Sequence, residues 1–337
     1  MTLHLDLKEN GYDIIIERGV IKRAGELLKL DRRVLIVTDD GVPAEYAKAV
    51  AAQCKHPVTV TVPQGEGSKS LSSFELLCRR LLEEGFTRTD CVVAVGGGVV
   101  GDLAGFVASS YMRGIDFYNL PTTFLSQVDS SIGGKVAIDF CGVKNIVGAF
   151  YQPKRVLIDP NVLNTLPARQ LSSGVAESIK MSLTSDAELF AMFEDGRAEN
   201  DLDTVIARSL CIKRAVVEQD ERESGLRKIL NFGHTLGHGI ESEAELDGLY
   251  HGECVALGML PMCSEKVRKR LLAVLTRWNL PTRIEGDLDR MLDIAAHDKK
   301  CDGGEVSVIW VEEVGACEIR KMPVSEFGAL VRAYVQA

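Results

Sequence analysis

The chain has 337 residues, a formal net charge of −9, and 46% hydrophobic and 26% charged residues. That apolar content excludes a mostly unstructured chain, and the length suggests two domains. An acidic balance makes a poor general binder of nucleic acid or anionic membrane, but a local basic pocket can still take a small anionic substrate.

The opening MTLHLDLKENGYDIII has no basic segment ahead of an apolar run, so no secretory signal is expected. No stretch reaches the ~20 apolar residues of a membrane span. The nine cysteines are scattered without a C-x-x-C pair, which fits free thiols in a reducing, cytoplasmic setting.

In chain order, strands are predicted at Tyr12–Glu17, Arg33–Thr38, Val58–Val62, Asp90–Val95, Phe117–Leu120 and Val156–Ile158. Helices are predicted between them at Ala44–Cys54, Leu71–Glu84 and Val100–Ser110. This alternation implies a mostly parallel sheet with helices on both faces. After about Asp159 the pattern becomes helical, at 168–195, 201–220, 231–247, 251–270 and 287–298, with a late hairpin at Val306–Val311 and Ala316–Arg320. The expectation is an α/β domain over 1–160 and a mainly α-helical domain over 161–337, with a ligand cleft between them.

Val92–Asp102, VVAVGGGVVGD, reads as strand, glycine turn and helix start. Glycines let backbone N–H groups approach a phosphate, and a helix N-terminus favours an anion. It is not the G-x-G-x-x-G fingerprint, and such a turn also serves as a plain βα connection. Asp39 or Asp40, at the end of an earlier strand, can accept bonds from a ribose; the plain alternative is a solvated turn.

Three of the six histidines, His234, His238 and His251, fall in one stretch. His234 and His238 are four apart in NFGHTLGHGIE and share a helical face. Glu177, in the otherwise apolar helix of GVAESIK, is a candidate anionic ligand, because a buried carboxylate needs a partner. Two histidines and a glutamate with an open position is a common layout for catalytic zinc. Spacing nominates His234 and His238 together and does not say which histidine is spare. Basic and amide residues surround these motifs: Arg113 in YMRG, Lys135 after a double glycine, Lys144 and Asn145, Lys180 three residues after Glu177, then Lys213, Arg227 and Asn231. Singly each reads as a solvated group; together they suggest a pocket for a multiply charged anion.

The runs GGGVVGDLAGFVASSYMRG, LPTTFLSQVDSSIGGKVAID, GVKNIVGAFYQP, VAESIK, LRKILNFGHTLGHGIE, YHGECVALGM and HDKK stand in order along the chain. With GEGSK at 65–69, this collinear set closely resembles the 3-dehydroquinate synthase family of sugar-phosphate cyclases. The resemblance implies the family's fold, a Rossmann-like α/β domain followed by a helical domain. It implies conversion of 3-deoxy-D-arabino-heptulosonate 7-phosphate to 3-dehydroquinate and phosphate, a step of the shikimate route to chorismate and the aromatic amino acids. Oxidation, elimination, reduction, ring opening and aldol closure would follow one another, with NAD used catalytically and a divalent metal, zinc or cobalt, bound by Glu177, His234 and His251.

Matched position by position, His238 becomes the histidine that faces substrate and handles protons. Lys135, Lys180, Lys213, Arg227 and Asn231 join it in catalysis, and Asp129, Lys144, Asn145, Glu223 and one of Lys299 or Lys300 line the substrate pocket. Arg113 reaches the phosphate from the neighbouring subunit of a homodimer. NAD falls to Asp39, Glu66, Lys69, Gly97, Gly98, Asp102, Thr122, Thr123 and Thr165, with Lys135 and Lys144 nearby. Asp139, where many relatives have Asn, is expected to touch none of these positions. A sibling cyclase such as 2-deoxy-scyllo-inosose synthase shares fold, NAD and metal. The set Lys213, Arg227, Asn231 and His238 favours instead a substrate that carries a carboxylate.

Overall fold

The computed structural model describes residues 1–243, 248–297, 301–302 and 304–336. The chain divides into two compact units, Met1–Leu166 and Pro167–Ala337.

The first unit is built on β1 (Thr2–Leu5), β2 (Tyr12–Ile16), β3 (Arg33–Asp39), β4 (His56–Val62), β5 (Cys91–Gly96), β6 (Asp116–Pro121), the hairpin β7 (Lys135–Phe140) and β8 (Val143–Phe150), and β9 (Arg155–Ile158). The main sheet runs β1-β2-β9-β6-β5-β3-β4. All its neighbours pair in parallel except β1 with β2. Successive residues of β3 and β5 enter opposite cores. Val34, Ile36, Val93 and Val95 pack on one face with Val20, Ala47 and Val50. Leu35, Val37, Val92 and Ala94 pack on the other with Leu77, Leu103 and Val107. Burial on both faces is why these strands read as continuous apolar runs.

Strand order reverses between β3 and β5. From β3 the chain steps outward to edge strand β4, then returns across β3 to β5 and on to β6. The carboxyl ends at such a reversal open a crevice that α/β sheets use for ligands. Asp39 closes β3 and Gly96 closes β5, so the glycine turn sits at that point.

The second unit carries helices Ala168–Ser185, Ala187–Asp195, Leu202–Gln219, His234–Glu243, His251–Met259, Glu265–Arg277, Leu288–His297 and Val324–Gln336. It also holds an antiparallel sheet of β10 (Cys301–Asp302), β11 (Glu305–Glu313) and β12 (Ala316–Pro323). Two long helices expected from periodicity are each divided. Asp186 leaves helical geometry (φ −150°, ψ 91°) and its carboxylate accepts from the N–H groups of Glu188 and Leu189, so 168–195 becomes two helices. The span 251–270 breaks at Leu260–Met262, a 3-10 turn containing Pro261, and Ser264 caps the next helix by accepting from Val267 N. The helix expected from 231 begins at His234, after a 3-10 turn over Leu226–Asn231. Strand β1, the hairpin β7–β8 and the helix Val324–Gln336 are elements the sequence pattern did not predict.

Candidate active site

In the first unit the glycine turn is shaped by what stands beside it. Gly97 caps the helix Gly98–Ser110. A Cβ at Gly96 would lie 2.6 Å from the Val100 side chain, and one at Gly97 would lie 3.0 Å from Thr123 Cγ2. Thr122 N donates to Gly96 O at 2.9 Å, which brings Thr122 and Thr123 against the turn. The result is a backbone-lined helix N-terminus with two threonines at its side, suited to a phosphate.

Asp39 is buried, and its Oδ1 accepts from Gly41 N (2.9 Å) and Val42 N (3.1 Å). Burial lifts its carboxyl above the ordinary value despite those bonds. Asp40 is exposed and accepts from Gln64 N at 2.7 Å.

Lys69 is the centre of a second constellation. Its ammonium is buried and reaches Asp102 Oδ2 at 2.8 Å, Glu66 Oε1 at 3.4 Å and Asn145 Oδ1. Burial disfavours this charge, but Asp102 and Glu66 hold the ammonium above its ordinary pKa. Asp139 Oδ1 accepts from Asn145 N at 2.7 Å, and Asp139 N donates to Lys69 O at 2.8 Å. This corrects the expectation that position 139 is uninvolved: it fixes two of the predicted site residues. Asn145 sits at φ 54°, and the Asp139 side-chain oxygen gives its N–H an acceptor. Lys135 and Lys144 stand exposed on the same hairpin, and Arg113 stands exposed in a left-handed turn (φ 68°). Asp129 lies in a π-helical turn, Ser126–Ser130. Thr165 bonds Tyr46 Oη at 2.8 Å, a partner no motif indicated.

In the second unit, three helices converge on one point. Glu177 from Ala168–Ser185, His234 from His234–Glu243 and His251 from His251–Met259 place one ligand atom each within 4.8 Å of one another. Glu177 Oε1 lies 3.4 Å from His251 Nε2 and 3.6 Å from His234 Nε2. The glutamate is fully buried, and neither carboxylate oxygen makes a hydrogen bond of normal geometry. The other ring nitrogens are directed away: His234 Nδ1 lies 3.2 Å from Phe232 O, and His251 Nδ1 lies 3.0 Å from Glu241 Oε2. A poorly satisfied buried carboxylate facing two imidazole Nε2 atoms fits a divalent ion with nitrogen and oxygen ligands.

Close helix packing makes the convergence possible. A Cβ on Gly252, next to His251, would fall 1.8 Å from Ser173 O, and one on Gly258 would fall 2.0 Å from Gly233 O. Arg169 secures the approach to His251 through both Glu253 oxygens, at 2.7 and 2.8 Å, while Tyr250 N donates to Glu253 at 2.8 Å.

Charges around the cluster are strongly coupled. Lys180 Nζ contacts Glu177 Oε2, with both side chains buried. Burial opposes ionisation of Glu177, but Lys180 and His251 hold its carboxyl down to about 2. Burial also opposes the His251 cation, yet Glu177 and Glu241 push its pKa up to about 10.

His238 stands beside the cluster without joining the converging set, its ring 5.6 Å from His234 and 6.4 Å from His251. Lys213 and Arg227 are buried. Asp220 shapes the loop before Arg227 by accepting from the N–H groups of Ser224, Gly225 and Arg227, and Asn231 Nδ2 donates to Glu223. Lys299 and Lys300 lie outside the described residues. Sequence reasoning missed Glu241, Arg169 and Asp220; Glu241 ends the quoted NFGHTLGHGIE motif, and its helical spacing from the two histidines was the available signal.

Comparison with known proteins gives one match in each half of the chain. A family described as 3-dehydroquinate synthase N-terminal matches residues 59–173, and one described as 3-dehydroquinate synthase C-terminal matches residues 174–301. A 3-dehydroquinate synthase of Streptococcus thermophilus (strain ATCC BAA-491 / LMD-9) is 40% identical over 348 residues, covering 97% of this chain and 98% of its own. Among solved structures, the 2-epi-5-epi-valiolone synthase ValA of Streptomyces hygroscopicus subsp. jinggangensis 5008, with NAD+ and Zn2+ bound, has a TM-score of 0.88 at 27% identity, covering 98% of each chain. A 2-deoxy-scyllo-inosose synthase in complex with carbaglucose-6-phosphate, NAD+ and Co2+ shares the fold, with a TM-score of 0.87 at 23% identity over 99% of this chain and 100% of that one. Matched in both halves and along nearly its whole length, the chain belongs to the 3-dehydroquinate synthase family.

Proposed function

We propose that the chain is a 3-dehydroquinate synthase, converting 3-deoxy-D-arabino-heptulosonate 7-phosphate to 3-dehydroquinate and phosphate in the shikimate pathway. The observation that carries this reading is the convergence of Glu177, His234 and His251, with both histidine Nδ1 atoms engaged elsewhere. When bound, NAD supplies a hydride acceptor that is regenerated within the cycle, and a divalent ion such as zinc or cobalt supplies Lewis-acid polarisation of a substrate hydroxyl.

The chain's own residues do the rest. Glu177, His234 and His251 hold the ion, and Lys180 balances the buried Glu177 charge. His238, beside the ligands but outside their set, moves a proton at the substrate hydroxyl. Lys213 and Arg227, buried cations, hold the carboxylate and phosphate of the substrate, and Asn231 orients its hydroxyls. The glycine turn at 96–98, with Thr122 and Thr123, receives the dinucleotide phosphates; Asp39 takes a ribose hydroxyl. The Lys69 group, with Glu66, Asp102 and Asn145, forms the wall beside Lys135 and Lys144.

The protein is read as a cytoplasmic homodimer with Arg113 supplied across the interface. Cysteines outside disulfides among the described residues support a reducing compartment. Exposed Phe140, Val143, Ile146 and Phe150 on the hairpin support burial against a second copy.

Phosphate release from the heptulosonate phosphate is the test. It should require NAD+, stop with chelator, and leave no net NADH. Turnover of glucose 6-phosphate in its place would make the chain a 2-deoxy-scyllo-inosose synthase instead.

A further inference from the structure

We propose that Glu241 is a positioning residue for the metal site, acting through His251. This rests on the reading of Glu177, His234 and His251 as ligands. The two histidines are held differently. His234 Nδ1 faces a neutral backbone carbonyl, Phe232 O, at 3.2 Å. His251 Nδ1 faces a carboxylate oxygen of Glu241 at 3.0 Å. Glu241 lies on the helix that begins with His234, whereas His251 begins the next helix, so the contact joins two ligand-bearing elements from side to side.

The chemistry follows from where the proton must be. An imidazole coordinates through an unprotonated nitrogen, so a metal at His251 Nε2 requires the proton on Nδ1. A carboxylate accepting that N–H fixes the tautomer, orients the ring and raises the donor strength of Nε2. His251 needs this help more than His234 does. It opens its helix and its side chain is 33% exposed, whereas His234 is buried. The carboxylate also counters the charge of a divalent ion beyond what Glu177 supplies.

Metal-stripped wild type, Glu241→Gln and Glu241→Ala are titrated with Zn2+ against a competing chelator, and with Co2+ followed by its visible absorption. Glu241→Ala should weaken Zn2+ affinity by 10- to 100-fold, the range for such outer partners. Glu241→Gln keeps an acceptor at nearly the same shape without the charge, and should fall between. Both should alter the Co2+ bands, which a substitution acting only on helix stability does not do. Variants that bind Zn2+ as tightly as wild type, with unchanged Co2+ bands, overturn the role of Glu241 alone. A folded wild type that binds neither ion overturns the ligand reading and this role with it.

Discussion

Lys180 Nζ contacts Glu177 Oε2 one turn along the same helix, and both side chains are buried. The ammonium is thus the resident counter-charge of a carboxylate assigned to a metal. Lys180→Met keeps the volume and removes the charge. Leaving one member of a buried pair alone costs about 3–5 kcal/mol. Urea unfolding of the metal-free variant should show a loss of that size, and saturating zinc should recover much of it. Equal losses with and without zinc would separate Lys180 from the ligand set.

Metal-free protein should also lose stability in alkali. His251 titrates near 10 in the folded state against an ordinary 6.5, so its contribution is complete below pH 6.5 and disappears as pH rises towards 10. Unfolding midpoints measured across that interval should fall, and the fall should flatten in His251→Ala. Zinc must displace the same proton, so uptake at neutral pH should release about one proton, which a weakly buffered indicator detects.

Gly252→Ala probes helix packing. Its Cβ would stand 1.8 Å from Ser173 O, a backbone atom, so the helices must separate. A loss of about 3 kcal/mol, at the upper end of overpacking, is expected together with weaker zinc binding. Unchanged zinc affinity in a destabilised protein would show that ligand placement tolerates the shift.

Much of this architecture was legible beforehand, for physical reasons. Strands β3 and β5 are buried on both faces, and such strands announce themselves as apolar runs. The hairpin β7–β8 does not: glycines and charges interrupt it, and most of β8 faces solvent. The helix breaks at Asp186 and Pro261 depend on capping and on a missing N–H, which hydrophobic periodicity does not register. At the metal cluster, spacing favoured His234 with His238, because four residues make neighbours on one helix. The structure instead brings His251 towards Glu177 from a neighbouring helix, a relation set by packing at Gly252 and Gly258. Asp139 looked irrelevant because its contacts are with a backbone N–H and a carbonyl, which sequence identity does not display.

His238→Ala separates a proton-handling histidine from a ligand. Metal content should stay at the wild-type level while kcat falls by about 10²–10⁴-fold, the usual contribution of general acid–base catalysis. Loss of bound metal would place His238 among the ligands.

Lys69→Met tests the first unit separately. The substitution removes the one ammonium that contacts both Asp102 and Asn145 in this group. NAD+ affinity, followed by quenching of protein fluorescence, should drop at least about tenfold, the effect of losing one charge-assisted bond of ~1.4 kcal/mol or more. Zinc affinity should be unaltered.

Position 177 is far along the chain from 234 and 251, and the three lie on separate helices. A shared ion would therefore act as a cross-link, present only when the growth medium supplies it. At free metal a thousandfold above Kd, mass action adds about 4 kcal/mol to the folded form. Zinc starvation would then lower the abundance of this protein as well as its turnover, because helices released from one another are cut by cellular proteases.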